Sequence, residues 1–236
     1  MCRNPSPQFF GVKMNKLEWA KYWAGKGFAV VPVHYVKPDG SCSCGNEHCD
    51  SAGKHPAVQW TKWQKERATV DQLEMWFDGR LKDHNIGVVT GKISGNIFAI
   101  DVDVGLGKDG QDSLDDLCMA HDDLPHTFEQ ITGSGGRHIF LKAPDDVTII
   151  TSKNTLGSGV DTRGEGGFVV VAPSTHKSGN NYRLPASNIE NVEAADQWII
   201  DLVKTDATRM NGNTVIQDQK TNMWGDLLDG REGYMV

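Results

Sequence analysis

Two aspartates stand two residues apart at the end of an apolar run, Ile97-Phe98-Ala99-Ile100-Asp101-Val102-Asp103. In a strand, residues i and i+2 leave the same face with Cα atoms roughly 6 to 7 Å apart, so the carboxylates repel one another unless a cation sits between them. Hard divalent ions such as Mg²⁺ and Mn²⁺ favour oxygen ligands and are commonly held by one or two carboxylates plus phosphate oxygens. A solvated strand end accounts for the pair as well, and Asp-x-Asp alone is shared with glycosyltransferases and calcium loops.

Two further segments carry groups suited to phosphate chemistry. Residues 132–140, Thr-Gly-Ser-Gly-Gly-Arg-His-Ile-Phe, run a loop of small residues into a strand. Around Ser134, Gly135, Gly136 and Arg137 the backbone can approach an anion closely and form a nest of amides, and His138 at the strand entrance can donate to a phosphate oxygen. A structural histidine in a hairpin is the plainer alternative. In residues 159–168, Gly-Val-Asp-Thr-Arg-Gly-Glu-Gly-Gly-Phe, Asp161 and Arg163 occupy one strand face. Asp161 can complete a metal cage, and the Arg163 fork can meet a triphosphate. An exposed ion pair there would contribute little.

An independent signal is Cys42-x-Cys44-x4-Cys49-x5-His55, three thiols and an imidazole in a loop rich in Gly, Ser and Asp. Four such ligands suit tetrahedral Zn²⁺, and a site filled by four protein ligands is closed, hence structural. His48 is an alternative fourth ligand; His55 is preferred because it lies beyond the turn and can close the loop. The remaining two of five cysteines, Cys2 and Cys118, stand alone, a pattern unlike a secreted disulfide framework.

The elements that must position these residues follow from periodicity. Leu17, Ala20, Tyr22, Trp23 and Ala24 predict a helix over 16–26 that stops at Gly27, followed by a strand over 28–33. Thr69 with Gln72 three residues on predicts a helix over 70–78. Short β-branched runs at 86–90, 97–102, 127–132, 138–141, 160–163 and 168–171 read as strands, with a helix over 113–121 inserted among them and a last helix near 194–203. Trp60, Trp63, Trp76 and Phe77 read as core. Asp115, Asp116, Asp122 and Asp123 read as a solvated face, and His84, His121 and His126 have no motif around them. The class is α+β.

With 236 residues, net charge -7 and pI near 5.6, the composition is that of a globular protein that does not grip nucleic acid through a broad basic surface. Carboxylates that hold metal ions are compatible with that charge. No apolar run approaches a membrane span and residues 1–14 do not read as a secretory signal, so the cytoplasm is the expected compartment.

Together the three acidic and glycine-rich elements resemble the archaeo-eukaryotic primase superfamily, and more narrowly the bifunctional primase-polymerase domain of plasmid, phage and prophage replication proteins. The resemblance takes in residues 27–33, Gly53-Lys54-His55-Pro56, 85–91, the Asp101/Asp103 strand, 159–167, 169–174 and Ser178-Gly179, and ends near Tyr182. It implies an RRM-like mixed sheet with flanking helices, here carrying a zinc-binding loop over 40–56 within a catalytic domain over 16–203. Residues 1–15 would be an extension, and 204–236 a linker and the start of a C-terminal region. The resemblance further implies Asp101, Asp103 and Asp161 as ligands of two catalytic Mg²⁺ or Mn²⁺ ions, and His138 as a contact to the incoming triphosphate, with Arg163, Ser134, Gly135, Gly136 and Arg137 near the nucleotide. Implied partners are a single-stranded DNA template with its primer, dNTP or NTP, and a helicase domain on the parent chain or in trans. Many relatives have a serine two residues before the motif histidine; here that position is Gly136, and Ser134 lies two residues further back. Zinc-binding loops in some relatives are linked to template handling. The competing functions are a replication-initiation module that binds nucleic acid without polymerising, and an Asp-x-Asp glycosyltransferase.

Overall fold

In a computed structural model, which describes residues 14–105, 107–187 and 189–204, the first helix α1 (Lys16–Gly25) starts at a reciprocal cap. The Asn15 side chain accepts from the Glu18 amide, and the Glu18 carboxylate accepts from the Asn15 amide, satisfying two of the amides a helix start leaves without partners. Gly27, at φ +91, ends it and turns the chain into β1 (Ala29–Val33). Thr69 caps α3 (Val70–Glu74) through Gln72, and that helix continues as a π-helical turn, Met75–Arg80. Between them lies the short α2 (Trp60–Trp63). The expected N-terminal extension, apart from residues 14 and 15, and the expected C-terminal region beyond Lys204 lie outside the described residues.

β1, β2 (Asn85–Val89) and β9 (Phe168–Val171) form an antiparallel sheet in the order β1-β2-β9. β3 (Ile97–Val102), β6 (Glu129–Ile131), β7 (Arg137–Lys142) and β8 (Val160–Arg163) form a second sheet in the order β6-β7-β3-β8, again antiparallel at every pairing. β4 (Val104–Gly105) pairs antiparallel with β5 (Lys108–Asp109), ahead of α4 (Gly110–Ala120). The expected mixed sheet is therefore corrected to two antiparallel sheets. Alternation along a strand reveals which face is buried, but a neighbour running in either direction satisfies it.

Strand period places the core. On β3, Ile97 and Ala99 join the cluster built from Trp23, Phe28, Phe140 and the strands of the first sheet, while Phe98, Ile100 and Val102 pack with Leu114 of α4 and with Ile199, Ile200 and Val203 of α5 (Gln197–Val203). The second sheet is thus covered on both faces, which explains why its strands read as short continuous apolar runs. Trp23 is fully buried, its indole nitrogen donating to the Ala172 carbonyl at 2.7 Å. Trp63, Trp76 and Phe77 are core residues as expected, and Trp60 packs on Phe168. Asp115, Asp116, Asp122 and Asp123 are exposed, and His121 stacks on Trp198.

Candidate active site and metal centre

Asp101 continues the Ile97-Ala99 face of β3, at the point where that face leaves the apolar cluster. Register then lines up one rung across all four strands: Gln130 opposite His138, His138 opposite Asp101, and Asp101 opposite Asp161. His138 Nε2 is 3.3 Å from Asp101 Oδ1. Arg163, two residues beyond Asp161 and so on the same face, places Nη2 3.0 Å from Asp101 Oδ2 and 3.0 Å from Asp161 Oδ2. The second oxygen of Asp161 accepts the Asn154 amide at 3.1 Å. Two carboxylates directly opposite one another on an antiparallel pair repel, and here a single guanidinium bridges them. Burial alone would raise the Asp101 carboxyl, but His138 and Arg163 outweigh it and hold the group well below the usual carboxylate range.

Asp103 follows β3. Its backbone is fixed on both sides, the amide donating to the Gly159 carbonyl and its carbonyl accepting from Gly110. It is half-buried at the same end of the sheet, and its charge, with that of Asp101, acts on Lys54 and on Tyr182. Asp101, Asp103 and Asp161 offer the oxygen-only donors that hard divalent cations favour, whereas the group whose ligand atoms all lie within 4.8 Å of one another among the described residues is Cys42, Cys44, Cys49 and His55.

The glycine-rich loop is built by close approach. A Cβ on Gly136 would overlap the Val102 carbonyl oxygen, and one on Gly133 would overlap His176. The loop is pinned from outside, because the Ser178 hydroxyl and the Asn180 amide both donate to the Gly133 carbonyl. Within it, the Gly135 amide donates to the Thr132 carbonyl at 3.0 Å, and the Ser134 hydroxyl pairs with that of Thr132 at 3.0 Å. Arg137 belongs to the opposite face of β7 from His138, where its guanidinium meets Glu129 and Gln111 at 3.1 Å each. The structure therefore brings together Asp101, Asp103, Asp161, His138 and Arg163. It sets Ser134, Gly135 and Gly136 at the loop beside them, and directs Arg137 away.

The cysteine loop is the second centre. Ligand atoms of Cys42, Cys44, Cys49 and His55 all lie within 4.8 Å of one another. His55 Nε2 is 3.3 Å from Cys42 Sγ and 3.4 Å from Cys49 Sγ. A tetrahedral zinc site with ordinary bond lengths puts S and N about 3.6 Å apart, so the four groups fit that ion. His48 is exposed and not part of the group. The loop hangs from the end of β1: the His34 amide donates to the His55 carbonyl, Ala57 donates to Pro32, and residues 35–43 fold back as a small hairpin through Ser43 and Tyr35. The His34 ring lies tilted against that of His55, centroids 4.5 Å apart, and beside His84. Burial, with those two neighbours, lowers the His34 pKa to about 4. Burial likewise lowers His55, favouring the neutral imidazole that binds metal.

More than forty residues separate this loop from Asp101 in sequence, yet the fold closes the distance. Lys54, between the ligands Cys49 and His55, shares electrostatic contact with Asp101, Asp103, Arg163 and Lys177. Its partial enclosure lowers its pKa, and the two carboxylates oppose that shift. Asn85 fixes the approach, its amide nitrogen donating to the carbonyls of Gly53 and Thr175 and its oxygen accepting the Thr175 amide. His176 and Lys177 follow on that strap; His176 is buried and feels Lys54, Lys177 and Asp103. Sequence reasoning gave no role to Gln130, Lys54, His176 or Lys177. The run Gly53-Lys54-His55-Pro56 was a signal for Lys54, while nothing local marks Gln130.

A family model described as bifunctional DNA primase/polymerase, N-terminal, matches residues 20–198. A search of curated proteins returned no match. Among the described residues no helix is long and apolar enough to cross a membrane.

Proposed function

Because this chain belongs to the bifunctional DNA primase/polymerase family, we propose that its 16–203 region is a catalytic domain that moves a nucleotidyl group from a dNTP or NTP to a 3′-hydroxyl under the direction of a DNA template. The observation that carries this reading is the pair of facing carboxylates, Asp101 opposite Asp161, bridged by Arg163 and continued by Asp103 at the strand end. A glycosyltransferase reading uses Asp101 and Asp103 but leaves Asp161, Arg163 and His138 without work.

Asp101, Asp103 and Asp161 would hold two Mg²⁺ or Mn²⁺ ions, which when bound activate the attacking hydroxyl and stabilise the departing pyrophosphate. The carboxylates are already oriented before any ion arrives, Asp101 by His138 and Arg163, Asp161 by Arg163 and the Asn154 amide. Divalent ions held by these carboxylates would supply the positive charge that Arg163 supplies between them, and the planar Arg163 fork suits the oxygens of a triphosphate. His138 donates from Nε2 at the same edge, and Lys54 and Lys177 add positive charge where the β- and γ-phosphates would lie. Cys42, Cys44, Cys49 and His55 would hold a Zn²⁺ that would order the polar 40–56 loop, which has little apolar surface to offset its ordering entropy, and with it the position of Lys54. A helicase domain, on the parent chain or in trans, is the partner this role calls for.

A priming and primer-extension assay with Mg²⁺ or Mn²⁺ tests the proposal. Template-dependent incorporation by the wild type, abolished in Asp101→Asn and in Asp103→Asn with folding retained, supports it; full extension by either variant sinks it.

A further inference from the structure

Gln130 is fully buried on β6, in register with His138. Its side chain does two things at once. Toward the first sheet it meets the outer edge of β9, donating from Nε2 to the Val170 carbonyl at 2.8 Å and accepting on Oε1 from the Ala172 amide at 3.1 Å. Toward the second sheet the same Nε2 lies 2.6 Å from His138 Nδ1.

The backbone contacts remove the usual ambiguity of a glutamine amide. A carbonyl can only accept and an amide N–H can only donate, so the Gln130 nitrogen must face Val170 and its oxygen must face Ala172. One Nε2 hydrogen is used on Val170. The other points at His138 Nδ1, which must then be the accepting nitrogen of the ring. In a neutral imidazole the remaining nitrogen carries the proton, and that atom, His138 Nε2, is 3.3 Å from Asp101 Oδ1.

We infer that Gln130 is a positioning residue that fixes His138 in the Nε2–H form, so that a directed chain of donors runs from Gln130 through His138 to Asp101 and to the phosphate oxygen that would lie beside it. The role rests on the nucleotidyl-transfer reading only for its second destination; the donor direction toward Asp101 is independent of it. Asp101, whose carboxylate can only accept, also draws the proton to Nε2; Gln130 closes the other side, since the Nδ1–H form would set a donor against its fixed N–H and present a lone pair from Nε2 to the Asp101 carboxylate and to any phosphate. Donation from the far side of a ring that touches a metal ligand is a recurrent way of fixing tautomer and orientation together. Here the donor is an amide locked by backbone rather than a carboxylate, so it adds no charge to a site already rich in aspartate.

Long-range ¹H–¹⁵N correlation spectra of the histidine rings in the zinc-loaded wild-type protein at neutral pH test this directly, with His138 assigned by the signal lost in His138→Asn. The expected result is a protonated Nε2 and an unprotonated Nδ1 for His138; a proton on Nδ1 overturns the inference. In Gln130→Met, which keeps the side-chain volume and removes the donor, His138 Nδ1 loses its hydrogen bond, so its ¹⁵N resonance should move and the nucleotide KM should rise about tenfold or more at unchanged zinc content. An Nδ1 resonance unchanged in a folded Gln130→Met protein would also overturn it. Should that variant fail to fold, the wild-type spectrum still decides. The spectrum needs no turnover, so a negative result leaves the nucleotidyl-transfer reading intact, and an inactive wild type would count against that reading alone.

Discussion

Replacing Arg163 by Met separates a structural ion pair from a metal site. Arg163 Nη2 is 3.0 Å from one oxygen of Asp101 and 3.0 Å from one of Asp161, so those oxygens cannot be more than about 6 Å apart. Two unit charges at that separation, with an effective dielectric near 20, repel by about 3 kcal/mol. Both side chains are largely shielded from water, so solvent screens little of this, although proton uptake by one carboxylate limits the cost. The metal-free variant should therefore lose about 2 to 3 kcal/mol of stability, which for a domain of this size lowers Tm by roughly 5 to 10 °C. A divalent ion held by the same carboxylates restores what the guanidinium supplied, and at a hundred times its dissociation constant contributes about 2.7 kcal/mol. Thermal unfolding of wild type and Arg163→Met, in buffer freed of Mg²⁺ and Mn²⁺ but without a chelator that would strip zinc, is compared with the same pair in millimolar Mn²⁺. The gap should narrow sharply when Mn²⁺ is added. An equal deficit in both buffers, or none in either, would refute the reasoning.

Metal analysis of purified protein should find about one zinc per chain, lost in a Cys44→Ser/Cys49→Ser variant together with much of its thermal stability; zinc-free wild type that primes fully would contradict this. Lys54→Met should reduce nucleotide use roughly ten- to a hundredfold, the worth of one charge-assisted hydrogen bond, with zinc content and melting unchanged, as steady-state kinetics across a nucleotide titration would show. Because the folded-state pKa of Asp101 is depressed, its contribution to stability is complete above the unfolded carboxyl value of about 3.9 and fades as pH falls from there toward the folded value. Denaturant melts should show the stability difference between wild type and Asp101→Asn shrinking as pH drops from 5 toward 2, and a difference flat over that range would speak against the ion-paired carboxylate.

Much of this architecture could be read before any fold was known, for reasons that differ from element to element. β3, β8 and β9 announced themselves as β-branched runs, and the period of two along β3 already put Asp101 and Asp103 on one face. The Thr69–Gln72 cap fixed a helix start because capping is local chemistry, whereas the Asn15–Glu18 cap was not singled out in the sequence. The cluster of Cys42, Cys44, Cys49 and His55 was visible because thiols at short spacing have few other uses in such a loop. What escaped was non-local. The rung Gln130-His138-Asp101-Asp161 depends on the register of four strands drawn from residues 97 to 163, which no local pattern records. Arg137 sits next to His138 in sequence and therefore on the other face of the same strand, so adjacency misled where alternation would have separated them. Lys54 comes within electrostatic range of the carboxylates in a fold where Asn85 ties Gly53 to Thr175. Glycines at 133 and 136 are needed where the backbone passes the His176 side chain and the Val102 carbonyl, a demand that no local pattern records.

The central claim is that Asp101, Asp103 and Asp161 together hold divalent ions for nucleotidyl transfer. It is tested most directly by a crystal structure with Mn²⁺ and a non-hydrolysable nucleoside triphosphate, read through the anomalous signal of the metal. The account predicts anomalous peaks among those three carboxylates, with the triphosphate oxygens on the side of His138, Arg163 and Lys54. Manganese bound elsewhere, with the Arg163 bridge still closed over empty carboxylates and the nucleotide lying apart from them, would contradict it.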